Sequence, residues 1–199
     1  MDSAGLVARR RNATRLEIAR AAAELFSRKG VAGTGAEEIA QVAGVSLRTF
    51  YRHVRVKQDA VIPLLEVGAE DWQARLSQIA PGADLRPAIT DVVAQALAVI
   101  EGPGPGQELT RGLILTMLED DDLRRVWDKV NGDSARDLEP ILAVHLDGRD
   151  PLAAPLLAEA ATAAIRITLE RWAADGAPAG ARLSELATET FERLSRWIS

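Results

Sequence analysis

The chain has 199 residues, of which 47% are hydrophobic and 27% are charged, and this composition is typical of a folded globular protein. It contains no cysteine, which excludes disulfides, thiol nucleophiles and thiolate metal sites. No apolar run reaches the length of a membrane span, and the N-terminus lacks the pattern of a secretory signal, so we expect a cytoplasmic protein.

The net charge of -5 is unevenly distributed along the chain. Residues 1–60 hold 11 Lys and Arg against 6 Asp and Glu, whereas residues 61–199 hold 13 against 23. A basic front on an acidic body favours a polyanionic partner at one end of the molecule. Such an asymmetry can also arise by chance.

The N-terminal residues 1–11 are predicted to form a disordered arm that ends in Arg9, Arg10 and Arg11. A basic arm of this kind can follow DNA phosphates or enter a minor groove. It can equally be a solvated tail.

A first helix is predicted at about residues 12–29. Thr14 and Glu17 form a capping-box pattern at its start, and apolar residues recur at helical spacing behind them. Gly30 is a suitable C-terminal stop. We interpret this helix as a structural brace for the segment that follows.

Two short helical patterns come next, separated by a turn at Gly44. The first begins with Thr34 or Gly35 as its cap, and Ser46 is suited to cap the second. Small residues near the turn allow the two helices to cross closely, as a helix-turn-helix requires. The second helix is then the one that enters a DNA major groove.

The second helix of this unit and the residues after it have the chemistry for DNA contact. Arg48 can pair with guanine, and Thr49 can touch a thymine methyl group or a phosphate. Tyr51 and His53 suit phosphate oxygens, and Lys57 opens the next helix, where its charge can hold the backbone. The residues of this stretch that are predicted to bind DNA are Ser46, Leu47, Arg48, Thr49, Tyr51, Arg52, His53 and Lys57.

Three motifs stand at a characteristic spacing in residues 12–65. They are F-x-x-x-G from Phe26, I-A-x-x-A-G-V-S from Ile39 and T-F-Y-x-H-V-x-x-K from Thr49. Together they resemble the N-terminal domain of TetR-family transcriptional regulators. The resemblance implies a homodimer with two DNA-binding heads and a ligand-responsive helical body. It also implies DNA contacts by Thr34, Arg48, Thr49, Tyr51, His53 and Lys57.

Two positions depart from the family pattern. Many members carry a second threonine where Gly35 stands and a basic residue near Glu37, so the DNA clamp is expected to differ at the start of this helix. The operator sequence does not transfer from the family, because Leu47 and Arg48 occupy variable positions.

The expected fold class is all-α, with two domains. Residues 1–56 are predicted to be the N-terminal arm and three-helix helix-turn-helix domain, and residues 57–199 a helical effector-binding and dimerisation domain. A linking helix is expected from Lys57 to about Ile79, with Pro63 past its first turn, where it either bends the helix or is harmless. In the family, the tilt of this helix sets the separation of the two heads.

The rest of the body is predicted to be helical, with loops rich in Gly and Pro. Asp84 and Asp150 are suited to cap helices, and Pro140 is a candidate kink. The predicted helices are about 85–101, 109–118, 123–146, 151–175 and 182–198. The resemblance pairs the last two with their mates in a four-helix dimer bundle, although they can also form a purely internal core.

The leading functional hypothesis is a ligand-responsive repressor that releases a palindromic DNA operator when a small molecule binds the body. No cofactor or metal is expected. The candidate pocket residues, each of which can instead be ordinary core, are Trp72, Leu76, Val93, Leu97, Met117, Trp127 and Ile165. Apolar residues with Trp and Met favour a hydrophobic or aromatic ligand.

Two other functional classes remain as alternatives. A helical enzyme is disfavoured because the sequence has no cysteine, no metal-spaced histidine pair and no nucleophile motif. An architectural DNA binder without an effector is disfavoured by the length of residues 80–199, since a helix-turn-helix alone needs far fewer residues.

Overall fold

The computed structural model describes residues 3–80, 83–100, 104–146, 148, 150–175, 182–196 and 198. These residues form α-helices and one short 3₁₀-helix with no strand among them, which confirms the all-α prediction. The elements in chain order are α1 (Ser3–Lys29), α2 (Ala36–Val42), α3 (Leu47–His53), the 3₁₀-helix (Lys57–Val61), α4 (Ile62–Leu76), α5 (Leu85–Ala98), α6 (Pro105–Glu119), α7 (Asp121–Ala143), α8 (Ala153–Asp175) and α9 (Leu183–Ser195).

The first helix is longer than predicted. It begins at Ser3, so the arginines at 9–11 are helical, and the prediction of a disordered arm was wrong for the described residues. The Thr14 hydroxyl donates to the Arg10 carbonyl at 3.1 Å within the helix, so Thr14 is not a cap. Residues 6–16 include no proline or glycine, and their alanine, leucine and arginine favour helix. The helix ends at Gly30 as predicted, with φ +73°.

The helix-turn-helix forms where the sequence predicted it. Gly35 is the N-cap of α2, and Gly44 makes the turn with φ +67°, a conformation that favours glycine. The Ser46 side chain accepts a hydrogen bond from the Thr49 amide at 3.1 Å, which caps α3 as expected.

The linking helix differs from its prediction. Residues 57–61 are a 3₁₀-helix, and α4 begins only at Ile62, with Pro63 in its first turn. Proline is tolerated there because the first amide groups of a helix have no carbonyl partner. The expected position of Pro63 past the first turn was therefore wrong, and the proline marks the start of α4.

Two acidic side chains and one proline mark where helices α5, α6 and α7 begin. The Asp84 carboxylate accepts from the Arg86 amide at 3.1 Å at the start of α5. Asp120 accepts from the Leu123 amide at 2.8 Å, so α7 begins two residues earlier than predicted. Helix α6 begins at Pro105, four residues before its predicted start, because proline fits a first helical turn. The end predicted at 101 lies outside the described residues, and α9 ends at Ser195 rather than at the predicted 198.

One continuous apolar core joins the head to the body. The alanine-rich helix α8 packs against α6, α7 and α9, and its buried small side chains allow these helices to approach closely. Helix α1 packs on α6, where the Thr116 hydroxyl donates to the Phe26 carbonyl at 3.2 Å. At the same contact, a Cβ on Gly112 would lie 2.8 Å from the Ser27 Cβ, so only glycine fits without a shift. The DNA-binding head and the body are therefore in direct contact.

Candidate DNA-binding surface and internal cavity

Helix α3 presents polar residues to solvent because one aromatic residue anchors it. Phe50 is fully buried in the core of the head, and its ring meets the Tyr51 ring edge-on at 5.3 Å. Tyr51 itself is exposed. The predicted contact residues Ser46, Leu47, Arg48 and Arg52 are also exposed, and Thr49 and His53 are half-buried. The structure thus brings most of the predicted DNA-binding residues onto one short exposed helix and its cap.

A cluster of positive charge surrounds His53 at the end of α3. Burial lowers the pKa of His53, and the charges of Arg52, Arg11 and Arg15 lower it further. The Nδ1 atom of His53 is buried with no hydrogen-bond partner in the described part of the chain. Arg15 of this cluster already pairs with the Glu66 carboxylate at 3.4 Å. The remaining positive charge is stabilised by a polyanion such as the DNA backbone.

Arg15 was not among the predicted site residues, and Arg11 was expected only in a disordered arm. Both lie in α1, one helical turn apart, and both affect the pKa of His53. Their spacing of four residues was the available signal, because residues four apart lie on the same face of a helix. The signal was missed because α1 was not predicted to include Arg11.

Two predicted DNA contacts are held inside the head. The side chain of Thr34 is only 2% exposed, and its hydroxyl donates to the Gly30 carbonyl at 2.8 Å. The Lys57 ammonium donates to the carbonyls of Val31 at 2.7 Å and Thr34 at 2.8 Å. Lys57 therefore ties the loop before α2 to the 3₁₀-helix, and in this structure neither side chain is freely exposed to a DNA backbone.

The body contains a cavity of about 380 Å³ between helices α4 to α8. Of the predicted pocket residues, Trp72, Leu97, Trp127 and Ile165 line it. Leu76, Val93 and Met117 do not, and their side chains are completely buried in the surrounding core. Helical apolar spacing predicted their burial correctly, but it does not indicate which buried side chains border empty space.

The cavity wall also includes polar residues that the sequence reasoning missed, Thr110, Asn131, Ser134 and Thr162. Only Thr162 lies in an apolar stretch of sequence, and that placement was its one signal. The other three have charged neighbours in sequence, which gave no signal of a cavity. None of the described residues that line the cavity is charged. The wall is therefore apolar with a few hydrogen-bonding groups, which is the usual character of a site for a small organic molecule.

The described residues lack both a metal-binding cluster and a membrane-spanning helix. They include no group of three or more His, Cys, Asp or Glu side chains that could hold a metal ion. No helix among them is both long and apolar enough to cross a lipid bilayer.

A helix-turn-helix head with an exposed second helix, joined to a helical body with an internal cavity, defines a DNA-binding transcriptional regulator. Residues 18–59 match the sequence model of the tetR family of bacterial regulatory proteins. The N-terminal domain of the chain thus matches the TetR family, and the overall fold is that of TetR-family transcriptional regulators.

Solved structures share the fold over nearly the whole chain. A protein from Mesorhizobium loti described as a TetR-family transcriptional regulator is 21% identical with a TM-score of 0.62, and the match covers 94% of this chain and 97% of that one. The regulator FadR from Bacillus subtilis, in complex with stearoyl-CoA, is 19% identical with a TM-score of 0.60 over 90% and 96% of the two chains. NalD from Pseudomonas aeruginosa, the secondary repressor of the MexAB-OprM multidrug efflux pump, is 24% identical with a TM-score of 0.61 over 92% and 96%. No curated protein sequence matches the chain.

Proposed function

We propose that this protein is a ligand-responsive repressor that binds a palindromic operator as a homodimer and releases it when a small molecule enters the cavity. The observation that carries the proposal is that α6 both lines the cavity and bonds to α1 of the head through Thr116 and Phe26. The repressor role of NalD and the ligand in FadR support the same function by analogy. Because bacterial DNA lies in the cytoplasm, the protein works there.

We propose that residues 1–56 form the DNA-binding domain. Residues 57–199 then form the domain for effector binding and dimerisation. Within the head, Ser46, Leu47, Arg48, Thr49, Tyr51, Arg52 and His53 are the proposed contact residues. Thr34 and Lys57 act mainly by holding the loop before α2, because their polar groups are engaged with backbone carbonyls. Arg11 and Arg15 add positive charge beside His53.

The release step follows from linkage between the two sites. A ligand weakens DNA binding only if it binds the DNA-free arrangement of the heads better than the DNA-bound one. The cavity borders α4 and α6, and each of these helices contacts α1. A ligand that moves either helix therefore changes the position of α1, and the reading helix α3 moves with the head.

Base recognition by Arg48 provides the test of this function. We expect Arg48→Ala to lower the preference for operator over unrelated DNA by about 1–3 kcal/mol, the usual value of one bidentate base contact. Fluorescence anisotropy with DNA from upstream of the protein's own gene measures this preference at 50 and 200 mM salt. Arg136→Ala, which removes an exposed arginine from the body, is the matched control and should change nothing.

Three results would contradict the proposal. Full sequence preference in Arg48→Ala would remove this residue from base readout. Wild-type affinity that does not fall between the two salt concentrations would exclude a phosphate-contacting head. If no compound that raises the melting temperature of the protein weakens DNA binding, the protein is an architectural DNA binder without an effector.

A further inference from the structure

The cavity wall contains a hydroxyl group without a partner in the described part of the chain. Thr162 of α8 lines the cavity and is only 5% exposed. Its Oγ1 atom is buried, and it makes no hydrogen bond there. A buried hydroxyl that lacks a partner destabilises the folded protein, because its hydrogen bonds to water are lost and not replaced.

Other helical hydroxyls of this chain behave differently. Ser27, Thr116 and Thr190 each donate to the carbonyl four residues earlier, at 2.7, 2.8 and 2.7 Å. This local bond is the usual way in which a helix satisfies such a group. Among the buried hydroxyls of the described residues, Thr162 is therefore the one without a partner, and it borders the cavity.

The other polar groups of the wall already have partners. The Asn131 amide donates to the Trp127 carbonyl at 2.8 Å, and the Ser134 hydroxyl accepts from the Gln73 amide at 2.9 Å. The Thr110 hydroxyl donates to the Gly106 carbonyl at 2.9 Å. With no charged residue among the described lining, a charged ligand would lose its hydration without gaining an ion pair.

We propose that the effector is an uncharged, mainly apolar molecule with one hydroxyl or carbonyl group, and that Thr162 holds this group. The inference rests on the proposed function, in which the cavity is the effector site. A rotation about χ1 exchanges the hydroxyl and methyl positions of a threonine, so Thr162 can turn Oγ1 toward a bound molecule. The apolar remainder of the ligand then fills the space between Trp72 and Trp127.

The first test compares three probes that share one alkyl chain: 1-decanol, decanoate and decylammonium. Titration calorimetry on the full-length protein should show that decanol binds at least about tenfold more tightly than either ion, because an ion must be desolvated in an uncharged wall. Decanoate or decylammonium binding as tightly as decanol would overturn the proposal. No detectable binding of decanol would overturn it as well.

The second test removes the hydroxyl alone. Thr162→Val keeps the shape of the side chain, and we expect it to bind decanol about two- to tenfold more weakly than wild type, the usual effect of one neutral hydrogen bond. Thr162→Ser should retain most of the affinity. Thr168→Val, a buried threonine of the same helix that does not line this cavity, is the matched control and should bind decanol like wild type.

The melting temperature of the ligand-free protein tests directly whether the Thr162 hydroxyl lacks a hydrogen-bond partner. Thr162→Val should melt no lower than wild type, since the variant loses a hydroxyl that makes no bond in the empty protein. A clearly lower melting temperature, or unchanged decanol affinity, would overturn the inference. Decanol binding that depends on Thr162 but leaves DNA affinity unchanged would support the inference while contradicting operator release.

Discussion

At the residue scale, His53 is partly buried and lies near the positively charged side chains of Arg11, Arg15 and Arg52. A histidine whose pKa is lowered in the folded protein takes up protons less readily than in the unfolded chain, where its pKa is about 6.5. The stability that follows from this difference is fully present above the unfolded pKa and is lost as the pH falls from there through the lower pKa of the folded protein. The same lowering leaves His53 mainly neutral at pH 7 and able to gain a proton when a phosphate approaches.

DNA binding is therefore expected to tighten as the pH falls. A nearby phosphate favours the charged imidazole, so binding is accompanied by proton uptake, which changes affinity by up to about tenfold per pH unit for one linked proton. Anisotropy titrations between pH 8 and 5.5 measure this slope. His53→Gln should flatten it, whereas an equal slope in wild type and variant would show that another group is responsible.

Local residue chemistry was predictable in the head, and tertiary contacts were not. Gly44 and Ser46 were identified because a turn and a helix cap act within a few residues of sequence. The role of Lys57 was missed because its ammonium bonds to the carbonyls of Val31 and Thr34, which are more than twenty positions away in the chain. Spacing alone carries no information about such a contact.

At the scale of elements, the contact between α1 and α6 links the cavity wall to the head. Across this contact, the Ser27 and Thr116 hydroxyls lie 3.4 and 3.2 Å from the Leu109 and Phe26 carbonyls, and each also donates, at a shorter distance, to the carbonyl four residues earlier in its own helix. Gly112 allows this approach because it has no Cβ. Any motion of α6 around a ligand therefore displaces α1 directly.

Gly112→Ala is expected to lower the free energy of unfolding by about 1–3 kcal/mol, because the new methyl group would clash with the Ser27 Cβ. Gly132→Ala in α7 is the matched control, since a Cβ there meets nothing within 4 Å. The control should be neutral or stabilised by up to about 1 kcal/mol through helix propensity. Urea unfolding measures both, and equal effects of the two variants would show that the α1–α6 contact is not tight.

Helix positions were predicted better than helix ends. Whether Pro63 bends α4 or is harmless depended on where α4 begins, and the 3₁₀-helix before it moves that start to Ile62. The pocket prediction placed Trp72, Leu97, Trp127 and Ile165 on buried helix faces, and these four residues border the cavity. It could not exclude Leu76 or Val93, since the position of an empty volume depends on how five helices pack.

At the scale of the whole molecule, the alanine-rich face of α8 is mostly used within the chain. Ala158, Ala161 and Ala164 are buried against neighbouring helices, as the internal-core alternative predicted. Outside this face, Leu156 of α8 is 46% exposed and Leu194 of α9 is also exposed. These leucines are the proposed apolar part of the dimer interface, which would pair α8 and α9 with their mates.

Leu156→Glu is expected to raise the dimer dissociation constant by about tenfold or more, because each copy would place a charge where an apolar side chain is buried. Analytical ultracentrifugation over a concentration series measures the change. Val99→Glu, at a position that is 76% exposed at the end of α5, is the control and should leave assembly unchanged. A wild-type protein that sediments as a monomer, or a Leu156→Glu variant that stays dimeric, would reject this interface.

The two hydrogen bonds of Lys57 limit which substitutions the head can accept. Lysine and arginine are often treated as interchangeable, but a flexible ammonium can donate in several directions, whereas a guanidinium donates from a rigid planar fork. The Val31 and Thr34 carbonyls lie within 2.8 Å of a single nitrogen, and the larger guanidinium would have to displace the loop before α2. Retaining the positive charge at position 57 is therefore not enough to keep the loop before α2 in place. A sequence with arginine at this position would need a different loop to hold α2 and α3 in the same positions.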